Sequence, residues 1–151
     1  MKNKEGVPFY LTPSVFLKSL KKKEIMSNKI ITLQETLQQF CGSTQFFEVP
    51  LIQTRFTEGI HYLAEKASCF WLITDASVIA KSLMDKSHFI TIDFKRLSEA
   101  EQQKKGCEAI IFYGDGNDTI LEAHRYNVTD FPLDELRLFF VDNTLMLPSE
   151  Y

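Results

Sequence analysis

Residues Cys107 to Leu147 constrain this chain more than any other stretch. Cys107-Glu108-Ala109-Ile110-Ile111-Phe112-Tyr113 leads into Gly114-Asp115-Gly116-Asn117-Asp118, and Thr119 to Tyr126 follows. After Asp130-Phe131-Pro132 comes a second pair, Leu136–Val141 and Leu145–Leu147, joined by Asp142-Asn143-Thr144. Short β-rich runs punctuated by Gly, Asn, Asp and Pro predict hairpins, hence an antiparallel sheet. His88 to Leu97 adds a further strand, because Ile90, Ile92 and Phe94 alternate with Thr91, Asp93 and Lys95.

At 151 residues the chain is long enough for one domain with a proper core. Thirteen phenylalanines require burial and predict an aromatic interior. No run of about 18 apolar residues occurs, so no membrane-spanning helix is expected. The apolar stretch Val7 to Leu20 is broken by Pro8, Pro13 and Lys18, which does not suit a secretory signal. Cys41, Cys69 and Cys107 are odd in number and lack Cys-x-x-Cys spacing. They read as reduced, buried thiols of a cytoplasmic protein, not as a disulfide frame or zinc site.

Charge is unevenly placed. Residues 1–29 hold seven Lys and two acids, a net +5, so the total of −3 leaves −8 for the rest. Residues 107–151 hold nine acids against Arg125 and Arg137, a net −7. This predicts a loosely held basic arm over 1–29 and a single α+β domain over 30–151. Met26 could itself be a start. The Lys21-Lys22-Lys23 run could meet nucleic acid or a membrane surface, but a handful of lysines is ordinarily a solvated face.

Thr32-Leu33-Gln34-Glu35 has the form of a capping box, which places a helix over Leu33 to Cys41, stopped by Gly42. Phe46 to Pro50 reads as extended but not central, because it ends in Pro. Leu51 to Phe56 fits a short helix or a strand. Between Ile60 and Met84 the apolar period is ambiguous. The preferred reading is a hairpin, Ile60–Ala64 and Cys69–Ile73, then a helix capped by Thr74 or Asp75 with Ala76, Ile79, Ala80 and Leu83 inward. Ser98 to Gly106 is an exposed connection with room for one helical turn. The predicted architecture is a mainly antiparallel sheet of five to seven strands built from hairpins, with a few helices packed on one side.

Three stretches carry a resemblance. They are Phe56-Thr57-Glu58-Gly59-Ile60-His61-Tyr62-Leu63-Ala64-Glu65, then Phe70-Trp71-Leu72-Ile73-Thr74-Asp75, and Thr129-Asp130-Phe131-Pro132-Leu133 with the terminal Leu147-Pro148-Ser149-Glu150-Tyr151. Across about residues 30–151 the chain resembles a family of small bacterial proteins known only as a domain of unknown function and often labelled plasmid-related. The resemblance implies an association with mobile elements and supplies no catalytic residue. This chain has Ile73-Thr74-Asp75 after Trp71-Leu72, where many members have an aliphatic residue followed directly by Asp.

No constellation points to a reaction. Gly114-Asp115-Gly116-Asn117-Asp118 invites a calcium reading, but its flanks are strands and the EF-hand spacing fails, so it reads as a tight turn. His61, His88 and His124 fall on three predicted strands and could meet a metal with Asp93 only if those strands align. Lone histidines are more often surface or core residues. A Cys–His pair would need Cys69 or Cys107 beside one of them, yet both cysteines lie in apolar runs that favour inert thiols. Glu58 and Glu65 flank the first predicted strand, with nothing pairing them as acid and base. No P-loop, G-x-S-x-G or G-x-G-x-x-G occurs. Trp71, the only tryptophan, could anchor a partner but reads as core. No catalytic, cofactor-binding or metal residue is assigned.

Two function classes remain. One is a non-enzymatic binding protein: first a protein-interaction module of a mobile element, with an unknown protein partner or a second copy of itself, and as its alternative an acidic decoy or inhibitor of a host nucleic-acid-binding or defence protein. The other is a small hydrolase whose site only geometry would show.

Overall fold

A computed structural model describes residues 13–151. The sheet has seven strands: β1 (Phe46–Val49), β2 (Thr54–Thr57), β3 (Phe89–Arg96), β4 (Ala109–Gly114), β5 (Ile120–Tyr126), β6 (Glu135–Val141) and β7 (Thr144–Met146). Their order is β1-β2-β7-β6-β3-β4-β5, antiparallel except where β2 and β7 run parallel. Among the described residues the four α-helices are α1 (Pro13–Leu37), α2 (Glu58–Lys66), α3 (Phe70–Ser82) and α4 (Glu99–Lys105). The architecture is α+β.

The hairpin half follows its sequence pattern closely. β3 lies inside the sheet, paired with β6 on one side and β4 on the other. Ile90, Ile92 and Phe94 face the core together with Ile111, Tyr113, Leu138 and Phe140. Asp142 and Asn143 both have positive φ, the mirror-image turn whose twist matches a two-residue hairpin. In the other turn the positive φ falls on Gly116 and Asp118, not Asn117. Asp115 closes it, accepting from the Asn117 and Thr119 amides at 2.7 and 3.3 Å. A smaller cluster of Leu97, Cys107 and Ile110, with Phe112 against it, gathers apart from the main core.

The helical half departs from the sequence reading. Ile60–Ala64 is not a strand but lies within α2, and Cys69–Ile73 is not a central strand but the opening of α3. In α2, Ile60, Leu63 and Ala64 are buried at the i, i+3, i+4 spacing of a helix face. In α3 the predicted core face holds, with Ala76 and Ala80 buried, but the helix starts a turn earlier, so Thr74 and Asp75 are interior and not caps. The helical reading prevails because α2 and α3 lay these apolar residues on the inner face of the sheet, where both join the main core.

The Thr32 capping box is also overturned. α1 runs unbroken from Pro13 through Thr32, whose hydroxyl donates to the Asn28 carbonyl 2.9 Å away, a bond made inside a helix. The helix ends at Leu37, short of Cys41. The true capping box is Ser98 with Glu101: each side chain satisfies the other's backbone amide at the start of α4, and Gly106 ends that helix in the left-handed conformation. Residues 1–12 of the predicted arm lie outside the described residues. Among the described side chains of α1, Leu33 and Leu37 are buried, and Leu17, Leu20, Ile25 and Met26 are exposed. No helix among the described residues is long and apolar enough to cross a membrane.

Candidate functional site

Two polar assemblies join parts of the chain far apart in sequence. The first is a clasp at the start of α2. Glu150, in a short 3-10 turn (Pro148–Glu150), presents its carboxylate to the end of that helix. Thr57 Oγ1 donates to Oε1 at 2.6 Å, the Leu147 amide to Oε1 at 3.1 Å, and the Gly59 amide to Oε2 at 3.3 Å. Ser43 Oγ donates to Oε2 as well. A carboxylate here answers the unpaired amides and positive dipole end of α2. It comes from 91 residues away in sequence from Gly59, because Thr57, the N-cap residue, makes no cap bond of its own. Gly59 permits the approach: a Cβ there would lie 2.5 Å from both Glu150 Oε1 and Leu147 Cδ1. With four donors on its two oxygens, Glu150 is a structural lock and not a free base.

The second assembly is a shelf between α3 and β5. Trp71 and Asp75 lie four apart in α3 and so share a helix face. Tyr126 Oη donates to Asp75 Oδ2 at 3.0 Å, and the Tyr126 ring lies 5.5 Å from the Trp71 indole. All three side chains are half-buried. Tyr113, on β4, is fully buried, and its hydroxyl finds no hydrogen-bond partner among the described residues. Burial, then the charges around Tyr126, Asp75 and Glu122, pushes the Tyr113 hydroxyl far above its ordinary pKa. Burial followed by the Asp75 carboxylate does the same for Tyr126. Both phenols therefore stay protonated. At the outer end of the shelf, His124 stacks edge-on against Tyr113 at 6.0 Å, and its Nε2 lies 3.7 Å from Glu122.

The three histidines do not come together. His61 is on α2, stacked on the Phe47 ring at 4.2 Å near one edge of the sheet. His124 is on β5, the strand at the opposite edge. His88 precedes β3 on an exposed connection. Asp93 instead holds Arg137 in a two-pronged pair at 2.6 and 2.9 Å. Among the described residues no three metal-ligating side chains cluster. Glu65 reaches His61 at 3.8 Å, one turn away on the same helix.

The cysteines separate too. Cys69 is buried, its thiol pushed up to about 12 by burial and then by Asp130, and it donates to the Leu63 carbonyl at 3.7 Å. That thiol is no nucleophile near neutral pH. Cys107 is buried, but Cys41, expected inside, is exposed. Trp71, expected in a central strand, lies instead at the rim of the core.

Residues 31–151 match the model of a family of unknown function, DUF6876. The chain belongs to this family. No curated protein and no solved structure matches the chain. The DUF6876 region begins inside α1 and includes every residue of both assemblies. Within it the stretches that looked separate in sequence meet: Thr57 and Gly59 touch Glu150, while Trp71 and Asp75 touch Tyr126. Sequence reasoning missed Glu150 and Tyr126. One signal was available for Glu150: a glycine just after Thr57-Glu58, at the start of an otherwise apolar helix, marks a close approach.

Proposed function

We propose that the protein is a non-enzymatic interaction module whose shelf receives a basic side chain of a protein partner. The observation that carries this is the grouping of Trp71, Tyr126 and Asp75: two half-buried aromatic rings against a carboxylate. A Lys ammonium or Arg guanidinium is attracted to an aromatic face and pairs with a carboxylate beside it. The −7 charge of residues 107–151 gives long-range attraction for the same kind of partner. A decoy of a mobile element, occupying the basic surface of a host protein, is the form of this module that the acidic half favours. The hydrolase alternative has no support in the positions of Cys69, Cys107, His61 or His124.

Trp71 is the only tryptophan, so its emission reports directly on the shelf. Titration with a blocked tri-lysine peptide should change that emission, and a tri-glutamate peptide should not. Asp75→Asn keeps the shape and removes the charge; it should weaken the response by about tenfold, the value of one charge-assisted contact. No response to the lysine peptide, or one indifferent to Asp75→Asn, would remove the shelf as a cation site.

A further inference from the structure

β5 closes one end of the sheet. It pairs with β4 on one side, in regular register from Glu122 to Tyr126 and with a bulge at Leu121, and among the described residues no strand pairs with the other. An open edge of roughly 23 Å, at 3.3 Å per residue, is a template for another strand. β1, at the other end, offers only four residues.

From the residues on this edge we infer that β5 pairs with β5 of a second copy, making a continuous sheet through a twofold axis at Ala123. The pairing would be antiparallel, and directly opposed residues must then share a face of the sheet. That restricts the twofold to a residue position. With the axis at Ala123, Glu122 opposes His124 of the partner subunit, and this happens twice. Moving the axis one residue either way sets Glu122 against itself or His124 against itself. Opposed unlike groups stabilise a cross-strand pair and like charges destabilise it. In the Ala123 register an imidazole N–H of His124 can donate to the partner's Glu122 carboxylate twice, whereas an axis at Glu122 sets two carboxylates together, and this contrast selects the Ala123 register.

A twofold of this kind runs perpendicular to the sheet, so both helical layers stay on the same side. The two shelves would then face one way, flanking the joint. Dimerisation needs no ligand and is measured apart from the shelf's response to lysine.

Sedimentation equilibrium of the full chain over micromolar to millimolar concentration tests the inference. The wild type should reach twice 17.5 kDa. Glu122→Lys should weaken self-association on the order of tenfold, because both carboxylates that accept from the partner's His124 are lost. Adding His124→Glu to that variant should restore it, since Lys then opposes Glu. Hydrogen exchange of the wild type gives a second readout that needs no variant: amides of residues 120–126 should gain protection as concentration rises. A monomer throughout, a dimer indifferent to Glu122→Lys, or β5 amides whose exchange ignores concentration would each overturn the inference.

Discussion

The clasp at the start of α2 and the shelf between α3 and β5 are each built from one helix and one segment from the far C-terminal half. They differ in what they leave unmade. In the clasp, four donors converge on Glu150, and Gly59 gives up its side chain so that they can. In the shelf, Tyr126 satisfies one Asp75 oxygen, Tyr113 keeps a buried hydroxyl without a partner, and two aromatic rings remain half open. Complete satisfaction fixes a structure, whereas an orphaned polar group beside open rings is a common mark of a surface kept for something else.

The comparison breaks most readily at Glu150. Glu150→Ala strands the Thr57 hydroxyl and two backbone amides, and should cost about 3 kcal/mol in thermal or urea unfolding. A loss under about 1 kcal/mol would mean the clasp is incidental. Trp71→Ala should cost about 2 kcal/mol, less than the 3–5 typical of a fully buried aromatic, because the ring sits at the rim. Native Trp71 emission should accordingly lie between buried and water-like; a fully blue-shifted, iodide-resistant spectrum would move it into the core.

Alkaline stability follows from Cys69. Its folded pKa of about 12 lies above the ordinary 9.0, so folding holds the proton. That contribution is whole below pH 9 and is lost as pH climbs towards 12, with the raised phenols of Tyr113 and Tyr126 acting in the same direction. Unfolding midpoints measured across this window should fall steadily; Cys69→Ser should flatten part of the fall. At neutral pH, Cys41 should react with a thiol reagent well before Cys69.

Tyr113→Phe should change stability by no more than about 1 kcal/mol, and on the stabilising side, since it removes a hydroxyl that is buried without a bond. A clear loss would show that the hydroxyl is bonded in solution and that the shelf resembles the clasp after all. The smallest effect belongs to neither assembly. A chain starting at Met26 should melt within about 3 °C of the full one, because Leu17, Leu20 and Ile25 are exposed on α1. A larger drop would make residues 1–25 part of the folded unit.

Much of the sheet was legible because its signals are local. β3 alternates strictly, and Asp142-Asn143 sits where a two-residue hairpin must turn. β1 ends next to Pro50 and stands at an edge, as a proline-bounded strand should. Capping was legible in kind but ambiguous in place. Thr32 and Ser98 each have Glu three residues on, and only Ser98 begins a helix, because Thr32 is already inside one with Asn28 accepting its hydroxyl.

The sequence by itself determined the hairpins from β3 to β7, the aromatic and aliphatic faces that make the core, and the separation of basic and acidic ends. Only the tertiary structure decided that Ile60–Ala64 and Cys69–Ile73 are helical. Their apolar residues satisfy a period of two and of 3.6 almost equally well, and the choice falls to which surface can cover them. It also decided that Glu150 caps α2 and that Asp75 holds Tyr126 instead of capping a helix, across separations of 91 and 51 residues. No local pattern encodes such pairs. They exist because burying α2 and α3 against the sheet leaves amides and a phenol needing partners, and the chain segments that the fold brings there are the ones that answer.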